Sequence, residues 1–286
     1  MKALRWIVVL LLILAVVIGG IYLYRKYRPF TKRSALINPS GQTLQTRIKT
    51  PDGYYRDSTA TGFTAYTRKL KVLRDKSALK RYDGANWGRQ NWHAAILDFD
   101  TGSKNLQQCA DACLRLHAEY LWNTNKKEKL VYEFTSGDKL AWADYAKGKR
   151  AKVNGNNVSF SNSGNADNSR KAFRSYLDCI FTYAGTISVN HQFRKLREDE
   201  TIQPGDVIVK PGSPGHAVMV VDVCQNSNGK KLYLIAQGYT PAVQIHIVNN
   251  TSDRSISPWF ELAGAPISVS GAGFRFTHAN VVRLAE

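Results

Sequence analysis

Cysteine is scarce in this sequence, which has only four, at positions 109, 113, 179 and 224 of 286 residues. So low a content excludes a disulfide-dense scaffold. Cys109 and Cys113 have the spacing of half a metal site, but no second close pair of cysteines or histidines completes it. We therefore expect neither a bound metal nor a cofactor.

Acidic residues are also few, because 22 Asp and Glu accompany 40 Lys and Arg and leave a formal charge of +18. Such an excess favours anionic partners, namely nucleic acid, phospholipid headgroups or acidic envelope polymers. Zinc-finger spacing and a Gly-aromatic RNA-binding motif are both missing from the sequence, so we expect no nucleic-acid partner. An anionic cell-wall polymer or peptide is the partner that the charge predicts.

Charge is absent from residues 6–24, a run of nineteen residues. This length allows a helix to cross the hydrocarbon core of a bilayer, and no small-x-small cleavage site follows it. We predict an uncleaved signal anchor behind a short tail, residues 1–5, and hence a single-pass membrane protein. The basic residues after the run favour a cytoplasmic domain by the positive-inside rule. The very short tail favours the extracytoplasmic side, which we adopt.

The rest of the chain divides into a linker and one domain. Residues 25–50 are basic and polar and predict a linker, whereas residues 51–286 predict a single α+β domain. Within that domain, residues 154–168 are rich in Asn, Ser and Gly and show little periodicity. This composition predicts a mobile surface loop.

The clearest stretch of the domain is residues 202–222, IQPGDVIVKPGSPGHAVMVVD. Residues 207–209 are β-branched and predict a short strand, and residues 210–215, with two prolines and two glycines, predict a rigid loop. Residues 217–223 form a nearly unbroken apolar run, which predicts a strand buried on both faces. His216 stands at the start of that strand, where an imidazole either serves as a general base or satisfies a turn.

Residues 106–122, LQQCADACLRLHAEYLW, have the best helical periodicity in the chain. Cys109 falls in the first turn, where the helix macrodipole favours a thiolate, whereas Cys113 lies one turn deeper without this advantage. The alternative is that Cys109 is only a small buried residue of the helix. Gln107, Gln108 and the backbone N–H of Cys109 are the candidate oxyanion donors.

A cysteine hydrolase also needs an imidazole and a polar group that orients it. His216 is the candidate base for the nucleophile Cys109. Gln237 ends the strand that returns from a short hairpin after His216, so we expect its side chain beside the imidazole. His246, on a further strand, is the alternative third residue.

The order of these elements resembles the papain-like fold of bacterial cell-wall cysteine peptidases of the NlpC type and the CHAP (cysteine, histidine-dependent amidohydrolase/peptidase) type. The resemblance lies in a cysteine that opens a helix, the GDVIVKPGSPGHAVMVVD stretch and a polar residue on the next strand. It implies a helix packed on an antiparallel sheet. Gln108 departs from the Asp or Asn that usually precedes the nucleophile, and Gln237 departs from the usual third residue.

Over roughly residues 50–286 the sequence is similar to an uncharacterised bacterial family, domain of unknown function 4846. The similarity is carried by segments that include PDGYYR, LQQCADACLRLHAEYLW, GDVIVKPGSPGHAVMVVD, AQGYTPAVQIHI and SPWF. The name of that family implies no activity.

These observations predict a membrane-anchored cysteine hydrolase of the amidase or peptidase type. We expect it to act on an envelope polymer such as peptidoglycan through an acyl-enzyme. A thiol acyltransferase would use the same residues and the same intermediate. The alternative from another class is a non-catalytic, membrane-tethered protein that binds or assembles envelope components with a papain-like groove.

Overall fold

The computed structural model describes Trp6, residues 11–20 and residues 34–284. Residues 11–20 are helical and belong to a separate unit from the compact unit Ser34–Glu286. The predicted membrane anchor, residues 6–24, lies partly outside the described residues. Among those that are described, no helix has the length and apolar character needed to cross a membrane.

The helices of the compact unit are mostly short. They are α1 (Leu44–Arg47), α2 (Gly62–Arg68), α3 (Cys109–Asn123), α4 (Trp142–Tyr145), α5 (Arg170–Tyr183) and α6 (Thr186–Gln192). The strands are β1 (Tyr54–Tyr55), β2 (His93–Ile96), β3 (Val131–Glu133), β4 (Lys139–Ala141), β5 (Lys149–Asn154), β6 (Asn157–Asn162), β7 (Arg194–Lys195), β8 (Asp206–Lys210), β9 (His216–Asn226), β10 (Lys231–Gln237), β11 (His246–Val248), β12 (Ile267–Gly271) and β13 (Phe274–Arg283).

One antiparallel sheet organises the unit, with the strand order β12-β13-β8-β9-β10-β11-β2. Strand β1 pairs with the far end of β9, and β7 pairs with β13. Strands β3 and β4 form one separate hairpin, and β5 and β6 form another. In the central ladder Lys210 of β8 lies directly opposite His216 of β9.

The sheet curls into a half-barrel with few helices around it. The pairing register shifts in three ladders, between Leu234 and Ile235, between Ile247 and Val248, and between Ile267 and Val269. Such irregularities bend a strand and increase its local twist, which curves the sheet. The predicted α+β fold, a papain-like arrangement with a helix packed on an antiparallel sheet, is therefore wrong.

The central strands are buried on both faces of the sheet. Val209 and Ala217 pack into the core on the face that α3 covers. Ile208 and Val218 pack into a second core, which β12 and β13 close on the other face. The strand predicted at residues 217–223, buried on both sides, is thereby confirmed.

Two boundaries differ from those predicted. Leu44 and Ile48 are completely buried in the main core. Leu44 starts α1 and Ile48 follows its last residue, so both ends of this helix are anchored in the core. Residues 34–50 therefore belong to the compact unit and do not form a linker; residues 25–33 lie outside the described residues. The stretch at residues 154–168, predicted as a loop, contains strand β6, which pairs with β5 along its whole length.

Helix α3 starts at Cys109 and packs against β9 and β10. The carboxylate of Asp111 accepts a hydrogen bond of 3.0 Å from the backbone N–H of Gln108 and stabilises the first turn. Gly238, just after β10, meets this turn closely: a Cβ there would lie 2.6 Å from the backbone oxygen of Gln108. The absence of a side chain at Gly238 therefore allows the end of β10 to touch the start of α3.

Candidate functional site

His216, Gln237 and His246 form a hydrogen-bonded chain across strands β9, β10 and β11. Nε2 of His216 lies 3.0 Å from Oε1 of Gln237, and Nε2 of Gln237 lies 3.2 Å from Nε2 of His246. Gln237 and His246 are fully buried, whereas His216 is half-buried. The structure thus places these three residues, selected from the sequence, in contact with one another.

Two backbone carbonyl groups, which can only accept, determine the direction of each bond in this chain. Nε2 of Gln237 lies 3.0 Å from the carbonyl oxygen of Ala272, so it is the amide nitrogen and Oε1 faces His216. Nδ1 of His246 lies 2.9 Å from the carbonyl oxygen of Gln244, so it carries the proton. Nε2 of His246 therefore accepts from Gln237. It follows that His216 carries its proton on Nε2 and has a lone pair on Nδ1.

Aromatic rings surround the imidazole of His216. Ring centroids of Tyr239, Phe274 and Phe276 lie 5.6, 5.9 and 5.8 Å from that of the imidazole. Burial lowers the pKa of His216, and the hydrogen bond to Gln237 opposes this effect. The imidazole is therefore neutral at pH 7 and able to accept a proton. The position of these rings around His216 could not be predicted from the sequence. The alternation of Phe274 and Phe276 indicates one face of a strand, but it does not indicate which residue that face covers.

His246 lies behind Gln237 and does not replace it. Burial lowers the pKa of His246 to about 3, and the charges of His93 and His216 add to the effect, while the hydrogen bond to Gln244 opposes it. His246 is thus a neutral group at physiological pH. Its contact with the amide nitrogen of Gln237 holds the amide in the orientation that faces His216.

The thiol of Cys109 lies beside the backbone of Ala217, the residue that follows His216. Burial raises the pKa of this thiol and the nearby Asp111 carboxylate adds to the rise, although backbone hydrogen bonds from Ala217 and Ala110 oppose it. Only 8% of Cys109 is exposed. Desolvation at this position outweighs the helix terminus, so the thiolate expected from the macrodipole alone is not the resting form.

Cys109 and His216 are neighbours through the backbone of Ala217. Within residues 34–284, no hydrogen bond joins the Cys109 thiol to a ring nitrogen of His216, and Nδ1 of His216 has no side-chain partner. Cys113 is completely enclosed and its thiol donates to the backbone oxygen of Cys109 at 3.4 Å. Its burial raises the pKa of that thiol well above the usual value, so Cys113 is a structural residue of the helix.

The two glutamines before Cys109 have different surroundings. Oε1 of Gln108 accepts a hydrogen bond of 3.0 Å from the hydroxyl of Thr240, and Thr240 and His216 line the same cleft. Gln107 is fully buried, and its Oε1 accepts a bond of 2.8 Å from Arg115. Gln108 therefore contacts one wall residue of the cleft that His216 also lines, whereas Gln107 belongs to the hydrogen-bonded network around Arg115.

In the part of the chain that the structure describes, no cluster of His, Cys, Asp and Glu has the arrangement to hold a metal ion. All four cysteines are free thiols. The thiol of Cys109 and the imidazole of His216 are groups that can support acid–base and nucleophilic chemistry.

A comparison with known proteins matches residues 44–283 to the family described as domain of unknown function (4846). The chain belongs to this family. No curated protein and no solved structure matches the chain. The family identified from sequence motifs is thus confirmed. The resemblance to NlpC-type and CHAP peptidases is not shown by the comparisons, and the curled half-barrel contradicts the fold that it implied. In this member of the family, the residues from Gln107 to His246 lie inside the matched segment.

Proposed function

We propose that the protein is a cysteine hydrolase of the amidase or peptidase type, with Cys109 as nucleophile and His216 as general base. The observation that carries this proposal is the hydrogen-bonded chain from His216 through Gln237 to His246. That chain leaves Nδ1 of His216 without a side-chain partner, and the Cys109 thiol contacts the backbone of Ala217, the residue that follows His216. A half-buried imidazole that is oriented by Gln237, together with a thiol in the first turn of a helix, favours acyl transfer over a purely structural role.

The proposed reaction has two steps. As Sγ of Cys109 attacks the carbonyl carbon, its proton passes to Nδ1 of His216, and the leaving nitrogen then takes that proton as the carbon–nitrogen bond breaks. Water attacks the resulting thioester with His216 again as base, which releases the acid and restores the thiol. The oxyanion donors in this proposal are the backbone N–H of Cys109 and the side-chain amide of Gln108. The amide nitrogen of Gln108 donates to the backbone oxygen of Asn105 at 3.3 Å, so it has to leave that partner when substrate binds.

The resting pair consists of a neutral thiol and a neutral imidazole. Burial raises the pKa of Cys109 and lowers that of His216, so a thiolate–imidazolium pair is disfavoured before substrate binds. Proton transfer therefore accompanies the attack on the carbonyl. Because no hydrogen bond joins these two side chains in the described structure, Sγ of Cys109 and Nδ1 of His216 must approach each other before this step.

An anionic envelope polymer, with peptidoglycan as the first to test, is the substrate that we propose. The formal charge of +18 supports it. The test is digestion of purified peptidoglycan by the full chain under reducing conditions, with released peptides quantified by mass spectrometry. We expect release by the wild type and by Cys113→Ala, and none by Cys109→Ala. Equal release by wild type and Cys109→Ala, or no release at all, would contradict hydrolysis by Cys109.

The second candidate is a non-catalytic protein that binds such a polymer. Two observations favour it: the raised pKa of the Cys109 thiol and the lack of a direct hydrogen bond from it to His216. This candidate predicts that the full chain sediments with insoluble peptidoglycan, that no peptide is released, and that Cys109→Ala binds as well as the wild type. The digestion assay and this sedimentation assay therefore separate the two functions.

A further inference from the structure

His216 forms part of the wall of a cleft of about 440 Å³. Tyr239, Phe274 and Phe276 supply aromatic walls around the imidazole. Lys210 lines the same cleft. A cleft with apolar walls and one or a few polar groups is typical of a small-molecule or substrate site.

The pairing of β8 with β9 places Lys210 on the same face of the sheet as His216. The two residues are direct cross-strand partners, so their side chains leave the sheet side by side. The ammonium group of Lys210 is thereby within reach of a ligand that contacts the imidazole. The pairing register of the two strands fixes the face of the sheet from which Lys210 projects, whatever rotamer its exposed side chain adopts.

The charge around the cleft has one sign. No Asp or Glu of the described chain lines it, and Lys210, which is exposed, forms no ion pair within residues 34–284. The N-terminus of α3 adjoins the same cleft, because Gln108 bonds to Thr240 in its wall. The unpaired ammonium of Lys210 favours a negative group here.

We propose that Lys210 binds a carboxylate of the substrate, while the body of the substrate packs against the aromatic walls beside His216. The inference deepens the proposed hydrolase function and rests on it for the reaction, although binding itself does not require Cys109. The substrate class is then an acyl compound with a free carboxylate a few bonds away from the carbonyl that is attacked.

Arg275 provides a matched comparison for Lys210. It also borders the cleft, but it stands between Phe274 and Phe276 on β13, and successive side chains of a strand point to opposite faces. The Arg275 side chain therefore leaves the face opposite to the two rings, towards a neighbouring cavity that it also lines. A general effect of surface charge would be shared by both cations, whereas direct binding would depend on Lys210 alone.

The first measurement compares two nitrophenyl esters of glutarate, one with a free carboxylate and one with that carboxylate methylated. We expect the full-length wild type to prefer the anionic ester by roughly 10-fold in kcat/KM, as for one charge-assisted contact. Lys210→Gln should bring this ratio close to one, and Arg275→Gln should keep it. An unchanged ratio in Lys210→Gln, or an equal loss in both variants, would overturn the inference.

The second measurement does not depend on turnover. The full chain with Cys109→Ala is titrated with glutarate or with dimethyl glutarate at pH 7.5, and the ring resonances of His216 are followed by NMR. We expect a saturable shift with glutarate only, and its loss when Lys210→Gln is added. If no ester is hydrolysed but this shift is seen, the proposed hydrolysis fails and the carboxylate site stands. Equal shifts with and without Lys210, or no shift, would refute the site.

Discussion

The amide oxygen Oε1 of Gln237 lies 3.0 Å from Nε2 of His216 and leaves Nδ1 of that imidazole free. Because the Ala272 carbonyl holds the amide nitrogen, the glutamine cannot turn over to present a donor to His216. We predict that neutral His216 exists as the Nε2–H tautomer. Nitrogen-15 NMR of the full chain at pH 8 should show a protonated Nε2 and an unprotonated Nδ1.

The substitution Gln237→Leu removes the hydrogen bond between Gln237 and His216 and so tests its role. The apolar side chain offers no acceptor, so both tautomers of His216 become populated and the base is correctly oriented in only part of the molecules. We expect kcat/KM for a hydrolysed ester to fall roughly 100-fold, the usual scale for a misplaced general base. A wild-type tautomer pattern in Gln237→Leu would show that another group orients the imidazole.

His246 makes the fold sensitive to acid. Its pKa is lowered to about 3 in the folded chain from about 6.5 in the unfolded chain, so the unfolded chain binds the proton first as pH falls. The contribution of neutral His246 to the free energy of unfolding is fully present above pH 6.5 and decreases as the pH falls towards 3. At about 1.4 kcal/mol per pH unit, the loss between pH 7 and pH 5 is about 2 kcal/mol.

Urea denaturation of the wild type and of His246→Gln at these two pH values checks this prediction. The variant has no titrating group at this position, so its free energy of unfolding should fall less than that of the wild type by about 2 kcal/mol. Parallel losses in both chains would show that other groups, such as buried carboxylates, account for the acid sensitivity.

The Cys109 thiol should react slowly at neutral pH. Because burial raises its pKa, the thiolate fraction at pH 7 is smaller than that of an exposed cysteine and increases only on the alkaline side. We expect the rate of alkylation of Cys109 by iodoacetamide, measured by peptide mass spectrometry, to rise continuously from pH 7 to pH 10. A plateau already reached at pH 6 would indicate a preformed thiolate instead.

Local segments of the site could be predicted from the sequence. The hairpin after residue 223 is short, so the strand that follows it must return beside β9 and bring Gln237 near His216. The helical periodicity of residues 106–122 likewise placed Cys109 in a first turn, where the structure has it. Both conclusions depend on contacts between residues close in sequence or on one helix.

Long-range features could not be predicted in the same way. The half-barrel depends on register shifts and on the pairing of β13 with β8, whose residues are more than sixty positions apart, and no local pattern encodes that partner. The pKa of Cys109 was misjudged for a similar reason. The helix dipole follows from sequence position, but the desolvation that outweighs it depends on distant strands that cover the thiol.

Gly238 should tolerate no side chain. A Cβ at this position would lie 2.6 Å from the Gln108 backbone oxygen and 2.9 Å from Cβ of Ala112, and a helix backbone cannot shift cheaply. We expect Gly238→Ala to lower the free energy of unfolding by roughly 1–3 kcal/mol, as overpacking does. Gly88→Ala is the control, because nothing lies within 4 Å of its added Cβ. Equal thermal stability of the two variants would show that β10 and α3 can separate without cost.

The dependence of Cys109 on His216 is the central claim, and the rate of Cys109 acylation by an activated ester tests it most directly. Intact-mass spectrometry of the full chain at pH 7.5 follows the reaction in the wild type, in His216→Ala and in Cys113→Ala. We predict that His216→Ala slows acylation of Cys109 by roughly 100-fold or more, as expected for loss of a general base, while Cys113→Ala keeps the wild-type rate. Equal acylation rates in the wild type and His216→Ala would contradict the account.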